Sequence, residues 1–146
     1  MTEPGSLSPY EGAQPYIFIS YAHNDEANVL AIVRRLQEEG YRVWFDRGII
    51  PGKAWDENIG EKLAGCQCLL SFLSRSYVCS SNCRDELNMG RRLGKDILPV
   101  YLEEVTLSPG LRMRFGRLFA LLRYQETEES FFQKLFAANT IHLTKE

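Results

Sequence analysis

Hydrophobic positions follow two alternating patterns along the chain. Consecutive apolar residues, typical of buried parallel strands, occupy residues 16–21, 41–45, 66–73, 97–102 and 118–124. Between these runs, apolar residues recur at helical spacing, as in the set Val29, Ile32, Val33 and Leu36. This alternation predicts an α/β domain in which crossover helices join parallel strands.

The order of the segments also predicts the topology. Helices are expected from an N-cap at Asn24 to Gly40, from Asp56 to residue 64, over residues 82–93 and from Glu128 onward. Residues 74–81 are expected to form a polar loop, and residues 103–117 an irregular segment with room for one helical turn. Five strands in this order predict a flavodoxin-like, doubly wound, five-stranded parallel sheet of order 2-1-3-4-5 with helices on both faces.

Such sheets bind ligands beyond the carboxyl ends of their strands, at the point where the winding reverses. Here that point lies between the first and third strands. Residues 20–24 and 74–86 are therefore expected to form a crevice, and any binding site should be sought there.

The chain divides into three parts by composition. Residues 1–14 are rich in Pro, Gly and Ser and are expected to be a flexible N-terminal tail. Residues 15–140 form the predicted domain, and residues 141–146 are expected to be a short C-terminal tail. The whole chain of 146 residues has the size of one domain.

Charge and composition exclude several classes of partner. The 17 Lys and Arg residues are balanced by 19 Asp and Glu residues, which gives no basic field for nucleic acid. The longest apolar run, residues 118–122, is too short to cross a bilayer, so no membrane partner is expected. No secretory signal is visible, and a cytoplasmic location with reduced cysteines is expected. The cysteines have no zinc-site spacing, so no metal is expected.

Glu86 breaks the pattern of its predicted helix. On a helical wheel it falls within the apolar arc formed by Cys83, Leu87 and Gly90, close to the helix start. One interpretation is that the carboxylate interacts with the helix N-terminal dipole and partly reaches solvent. The other is that a functional carboxylate faces the predicted crevice.

One carboxylate restricts the chemistry that such a site could perform. Ordinary glycoside hydrolysis needs two carboxyl groups, one as acid and one as nucleophile or base. A single carboxylate suffices when the leaving group is already cationic, as nicotinamide is in NAD. At about 4 Å and an effective dielectric of about 20, its attraction to an oxocarbenium ion is worth about 4 kcal/mol, or roughly a thousandfold in rate.

Four segments in order resemble a known family. They are YIFISYAHND at residues 16–25, YRVWFD and GIIPG at 41–46 and 48–52, SYVCSSNCRDEL at 76–87, and ILPVY at 97–101. Together they resemble a TIR (Toll/interleukin-1 receptor) domain, in a style closest to the bacterial members. The third segment is similar to the pattern S-x-x-Y-x-x-S-x-x-C-x-x-E-L of catalytic members.

The resemblance implies a fold, an activity and site residues. The fold is the flavodoxin-like sheet, and the activity is cleavage of NAD at the nicotinamide–ribose bond to give ADP-ribose or a cyclic variant. It makes Glu86 the catalytic residue and Ser20, Tyr21, Asp46 and Tyr101 the NAD-binding residues. NAD is then a substrate, and the family implies activation by self-association through the BB loop, residues 47–55, in bacterial defence against phage.

Two alternatives remain open at this point. The domain could be a non-catalytic adaptor that assembles through the BB loop. Catalytic members often have Trp four residues before the glutamate, whereas this chain has Asn82 there, and Tyr77 or Tyr21 would have to replace the stacking ring. It could also be an enzyme similar to nucleoside deoxyribosyltransferases, which share the broad fold and act on N-glycosidic bonds.

Overall fold

A single parallel sheet organises the chain. The computed structural model describes residues 7–46, 57–115 and 119–146. The strands, numbered in chain order, are β1 (Ile17–Ser20), β2 (Val43–Trp44), β3 (Cys68–Leu73), β4 (Asp96–Tyr101) and β5 (Leu121–Leu122). They lie in the order β2-β1-β3-β4-β5, and every pair of neighbours is parallel. The predicted fold class and strand order are therefore confirmed.

Helices cover both faces of this sheet. They are α1 (Glu26–Glu38), α2 (Glu57–Gly65), α3 (Arg75–Cys79), α4 (Ser81–Arg92), α5 (Pro109–Phe115) and α6 (Glu128–Phe136). Side chains of α1 and α6 share one hydrophobic cluster with Ile17 and Ile19, while side chains of α2 to α5 share the other with Phe18. Successive residues of β1 therefore point to opposite faces, as the period of a strand requires.

The segment expected to be a polar loop contains a helix instead. Ser74 Oγ accepts a hydrogen bond from the Tyr77 backbone N–H at 3.1 Å and begins α3. Ser80 Oγ accepts from the Cys83 N–H at 3.2 Å and begins α4. The prediction for residues 74–81 was wrong because its serines are helix caps, a role that Ser fulfils as readily as a loop role.

The last strand is much shorter than predicted. Residues 118–124 were expected to be strand, but β5 spans two residues and a 3-10 turn follows at Arg123–Gln125. The Leu102 N–H donates to β3, so by alternation the Pro99 nitrogen faces the side of β5. Because β5 pairs only with Val100 and Tyr101, no described strand residue lies opposite Pro99 there, and its missing N–H leaves the ladder intact. Upstream, α5 lies within residues 103–117 and, with seven residues, is longer than the one helical turn allowed for there.

Both ends of the described chain pack against the sheet. Leu7 is buried, and the Tyr10 N–H donates to the Val43 carbonyl at 2.8 Å. Ile141 and Thr144 are fully buried near the other end. The described parts of residues 1–14 and 141–146 thus differ from free tails, while the domain boundaries themselves stay a prediction. Within the described ranges, no helix is both long and apolar enough to cross a membrane.

A glycine in the left-handed region ends α1. Gly40 has φ +94°, and the following Tyr41 N–H donates to the Leu36 carbonyl at 3.0 Å. A Cβ at this position would come no closer than 4.0 Å to Lys145 Cγ. Space is therefore available, and the backbone conformation is what requires glycine.

Gly40→Ala is expected to lower the free energy of unfolding by about 1–2 kcal/mol, because an L side chain is strained at this φ. Urea denaturation measures the change. Gly110→Ala in α5 is the matched control, since a Cβ there meets no described atom within 4 Å and its φ is not positive. Equal losses of stability in the two variants would contradict the conformational explanation.

Candidate active site

Two serines occupy the carboxyl edge where the winding of the sheet reverses. Ser20 ends β1 and lies opposite Ser71 of β3 in the parallel register. Strand alternation places Ser20 on the same face as Phe18, the face that α4 covers. Both serines are fully buried. Small hydroxyl side chains thus replace apolar ones at the predicted crevice.

The Glu86 carboxyl group lies directly on this edge. Glu86 belongs to α4, its residue exposure is 7%, and Ser20 Oγ donates a hydrogen bond to Glu86 Oε1 at 2.7 Å. The helical wheel predicted that Glu86 faces inward, and its burial agrees with that prediction. The catalytic role assigned to it stays a prediction.

Burial dominates the acid–base behaviour of Glu86. Removal from water is the main cause that raises its pKa to about 8; the Ser20 hydrogen bond opposes this rise, and the charges of Asp46 and Asp85 add to it. In this conformation the carboxyl group is therefore mostly protonated at neutral pH. A catalytic carboxylate at this position needs a nearby positive charge or a change in its surroundings.

Tyr77 completes a chain of three polar side chains. Its side chain is fully buried on α3, and its phenol oxygen is 2.9 Å from Ser20 Oγ. Burial raises its pKa well above the ordinary range of a phenol. Sequence analysis considered Tyr77 only as a stacking ring and missed this contact. The signal was present in the spacing of Ser74, Tyr77 and Ser80, which puts a phenol on a short capped helix above β1.

Two further polar contacts connect the segment after β1 to α3 and its N-cap. Ser74 Oγ donates to Asp25 Oδ2, and Asn24 Nδ2 donates to Ser76 Oγ at 3.2 Å. His23, which precedes Asn24 in this segment, has a 76% exposed side chain. The place of the predicted crevice is thus bordered by hydroxyl, amide and carboxyl groups rather than by an imidazole.

Tyr21 and Asp46 lie next to the buried chain. The Tyr21 phenol donates to the Asp46 backbone carbonyl at 2.6 Å, and both residues are half-buried. The Asp46 carboxylate is close enough to raise the pKa of Glu86. The structure thus brings together four of the predicted site residues, namely Ser20, Tyr21, Asp46 and Glu86.

Tyr101 lies apart from these four residues. It ends β4, two strands away from β1, and pairs in register with Leu73 and Leu122. Burial raises its pKa, and the neighbouring Tyr124 adds to the shift. An NAD contact at Tyr101 stays a prediction, and it requires a ligand that extends along the edge of the sheet.

The predicted BB loop, residues 47–55, lies outside the described residues, so the predicted contacts of that loop are not described. Two cavities occur in the part of the chain that the structure describes. One, of about 580 Å³, is lined by residues that include Leu87, Lys95 and Phe115. The other, of about 330 Å³, is lined by residues that include Asn28 and Phe132. Neither cavity is lined by Ser20 or Glu86.

The cysteines contribute no reactive group to the crevice. All four are free thiols, and three of them are buried. Burial raises the pKa of Cys83, which lies in α4 beside Glu86, to about 12. Among the residues of the described ranges, no group of three or more His, Cys, Asp or Glu side chains is placed to hold a metal ion.

Asn82 lies one helical turn before Glu86. The two residues are four positions apart on α4 and therefore share one side of the helix. Asn82 is half-buried. An aromatic ring at this position would lie over the Glu86 side of the crevice, whereas the amide offers hydrogen bonds and no stacking surface.

Comparisons with known proteins identify the same fold. The model of the family described as TIR domain matches residues 17–136. The TIR domain of the Toll-related receptor TRR-2 from the lower metazoan Hydra magnipapillata is similar, with a TM-score of 0.67, 20% identity, and coverage of 82% of this chain and 94% of that chain. A comparison with curated proteins found no match.

Two further solved structures are similar at lower scores. The TIR domains of the activated Roq1 resistosome, which directly recognizes the pathogen effector XopQ, have a TM-score of 0.53 and 18% identity, with coverage of 88% of this chain and 74% of that chain. The 2-desoxiribosyltransferase from Leishmania mexicana has a TM-score of 0.50 and 16% identity, with coverage of 86% and 99% respectively. At these identities the similarity shows the fold alone.

Glu86→Gln is expected to remove a pH dependence of stability. The unfolded chain releases the Glu86 proton near 4.5 and the folded protein only near 8, so the folded state binds more protons between these values. Wild-type stability should therefore fall as the pH rises from 5 to 8.5, by roughly 3–5 kcal/mol. Urea denaturation at both pH values measures the fall, which the neutral glutamine should abolish.

Asp85→Asn is the control for this measurement. Asp85 is the exposed neighbour of Glu86 on the same helix, and its replacement should leave most of the fall in place. An equal fall in wild type and in Glu86→Gln would show that Glu86 titrates near its ordinary pKa and would contradict its buried placement.

Proposed function

This chain belongs to the TIR domain family, and from that premise we propose that it is an enzyme that cleaves the nicotinamide–ribose bond of NAD. The observation that carries the proposal is the Glu86 carboxyl group, buried at the edge where the sheet winding reverses and hydrogen-bonded to Ser20 Oγ at 2.7 Å. Such an arrangement stabilises α4 only weakly, because burial of an ionisable group is costly. A positive charge on a bound substrate would offset that cost.

The reaction needs no general acid. When the bond between ribose C1′ and the pyridinium nitrogen breaks, its electron pair goes to the ring, and nicotinamide leaves as a neutral molecule. The positive charge moves to the ribose as an oxocarbenium ion, which the Glu86 carboxylate would stabilise. Attack by water at C1′ then gives ADP-ribose with loss of a proton, and attack by a nucleophile of the same molecule gives a cyclic variant.

The raised pKa of Glu86 is compatible with this role. A pyridinium ring a few ångströms from the carboxyl group favours the charged form and lowers the pKa. The substrate therefore promotes the carboxylate that its own cleavage requires. In the protein without substrate, the group remains mostly neutral below pH 8 because of its burial.

Self-association is proposed as the activating step. Asp46 immediately precedes the BB loop, residues 47–55, and its carboxylate raises the pKa of Glu86. Contacts made by that loop in an assembly would shift Asp46 and thereby change the charge around Glu86. The TIR domains of the Roq1 resistosome, to which this chain is similar, occur in an activated assembly.

The remaining NAD contacts are proposed from position. Ser20, Tyr21 and Asp46 surround Glu86 and would hold the nicotinamide riboside half of the substrate. Tyr101 lies two strands farther along, roughly 10 Å away at the spacing of neighbouring strands, a distance that a dinucleotide can span. The same proposal includes a bacterial origin, a cytoplasmic location and a role in anti-phage defence. It includes no membrane or nucleic-acid partner.

A non-catalytic scaffold is the second candidate function. It is favoured by the closed contacts of Glu86, which would tie α4 to β1 through Ser20 and Tyr77 as a neutral acid. Asn82, in place of a stacking ring, also fits this function. In that case the BB loop would mediate assembly, and the buried carboxyl group would serve only the fold.

Nicotinamide release from NAD is expected to depend on Glu86. Purified protein at high concentration should release nicotinamide, which chromatography detects, and Glu86→Gln should be roughly a thousandfold slower because the charge that stabilises the oxocarbenium ion is gone. Asp85→Asn, which removes the exposed neighbouring carboxylate that opposes the charged form of Glu86, should keep at least wild-type activity.

Equal rates in wild type and Glu86→Gln would refute the catalytic assignment.

Free nucleosides serve as the competing substrate, because the similar 2-desoxiribosyltransferase indicates that this fold can carry a glycosyl-transfer enzyme. We expect no turnover of nucleosides, and turnover of nucleosides in preference to NAD would replace the proposed substrate.

Pro51→His is expected to abolish self-association, measured by sedimentation velocity over a range of protein concentrations. If the protein is an enzyme activated by assembly, NAD turnover should be lost in parallel. Pro109→His, at the exposed start of α5, is the control and should still associate. Association that survives in Pro51→His would contradict the role of residues 47–55, and assembly without NAD turnover in wild type would favour the scaffold.

A further inference from the structure

Tyr77 reaches the Glu86 carboxyl group through Ser20. Its phenol oxygen lies 2.9 Å from Ser20 Oγ, which lies 2.7 Å from Glu86 Oε1. The three groups come from different elements, α3, β1 and α4, and are all buried. They form one continuous line of hydrogen bonds within the fold.

The protons in this line can be assigned from valence. When Glu86 is charged, its carboxylate only accepts hydrogen bonds, so Ser20 must donate its single proton to Glu86. Ser20 Oγ then has only lone pairs to offer to Tyr77, and the phenol must be the donor. Burial raises the pKa of Tyr77 well above its ordinary range, so the phenol keeps its proton wherever the protein is folded.

We propose that Tyr77 is a positioning residue, whose phenol donates to Ser20 Oγ and so directs the Ser20 hydroxyl at the Glu86 carboxylate. The inference rests on the proposed function for its catalytic meaning. Without the phenol, the Ser20 hydroxyl would be free to rotate among its staggered positions and to donate to other acceptors. The carboxylate would then lose a directed hydrogen bond, which is the contact that fixes its oxygen at the edge of the sheet.

The other groups around Glu86 do not perform this task. Asp46, after β2, and Asp85, on α4, oppose the charged form of Glu86. Cys83 is a buried thiol that stays neutral, because burial raises its pKa to about 12. Ser71 lies near enough to favour the charged form of Tyr77, but among the described residues its Oγ has no hydrogen-bond partner. Among the described contacts, the two hydrogen bonds that run from Tyr77 through Ser20 to Glu86 are therefore the ones that favour the Glu86 carboxylate.

A titration without substrate tests the positioning directly. The Glu86 carboxyl carbon is followed by ¹³C NMR against pH in wild type, with Glu86→Gln to assign the signal. Tyr77→Phe should raise the measured pKa by about one unit, the effect expected from loss of one hydrogen bond to a charged group. Tyr41→Phe, which removes another buried phenol whose oxygen lies 3.2 Å from the Phe136 carbonyl, should leave the titration unchanged.

A double-mutant cycle tests whether Tyr77 acts through Ser20. Ser20→Ala removes the middle of the line, and its titration should also shift upward. Adding Tyr77→Phe to Ser20→Ala should give no further shift, because the phenol then has no route to Glu86. Additive shifts would mean that Tyr77 acts on Glu86 by another path and would overturn the proposal.

Kinetics add a readout that a purely structural role would not change. In nicotinamide release, Tyr77→Phe should lower kcat severalfold with little change in KM, and the pH at half-maximal activity should rise with the NMR titration. Tyr41→Phe should lose similar stability without either effect. A wild-type titration and wild-type pH profile in Tyr77→Phe would overturn the inference.

The experiments distinguish failure of the proposed function from failure of this inference. If wild type releases no nicotinamide, the proposed activity is refuted, while the titration still decides whether Tyr77 positions Glu86. If Tyr77→Phe does not fold, the wild-type spectrum decides: a slowly exchanging phenolic proton of Tyr77 with cross-relaxation to Ser20 is expected. A Tyr77 phenolic proton in fast exchange, or one directed elsewhere, would overturn the assignment.

Discussion

The site depends on one hydrogen bond, from Ser20 Oγ to Glu86 Oε1, made inside the protein where water is excluded. A carboxyl group buried without a partner would cost several kcal/mol. The bond is possible because β1 ends in a small hydroxyl residue on the face that α4 covers. It joins the sheet to the helix at the place where an α/β fold of this order presents a crevice.

Stability and the proposed chemistry favour different protonation states of Glu86. Burial keeps Glu86 neutral and α4 closely packed, whereas stabilisation of a cationic transition state needs the carboxylate. Asp46 influences which of these states is favoured, because its charge raises the pKa of Glu86. Residues 47–55 directly follow Asp46 in the chain. Under the proposed function, local electrostatics would therefore link a resting state with a neutral acid to an active state with a carboxylate, without a large change in fold.

Much of the fold could be predicted because its signals are local and repeated. Apolar runs alternating with helical spacing predicted the parallel α/β sheet, its order was chosen as the natural one for a chain of this length, and a single charged residue within an apolar arc identified Glu86. The helix α3 was missed because serine serves equally as a loop residue and as an N-cap, and only the contacts of Ser74 and Ser80 distinguish the two roles. The length of β5 was overestimated because an apolar run does not show where its partner strand ends.

The site residues differ in how far sequence could place them. Glu86 follows from the helical wheel, and Ser20 follows from its position at the end of the first strand, where the crevice was expected. The contact of Tyr77 with Ser20 joins residues 57 positions apart and depends on the packing of α3 over β1. Tyr101 was included only by resemblance, and the register of β4 sets it two strands from β1.

Infrared difference spectroscopy between wild type and Glu86→Gln tests the buried carboxyl group most directly. At pH 6 wild type should show the carbonyl stretch of one protonated, water-excluded carboxylic acid that the variant lacks. That band should give way to a carboxylate signal as the pH rises through 8, the pKa to which burial raises Glu86. A carboxylate signal from Glu86 already present at pH 6 would contradict the account, because it would place the group in water.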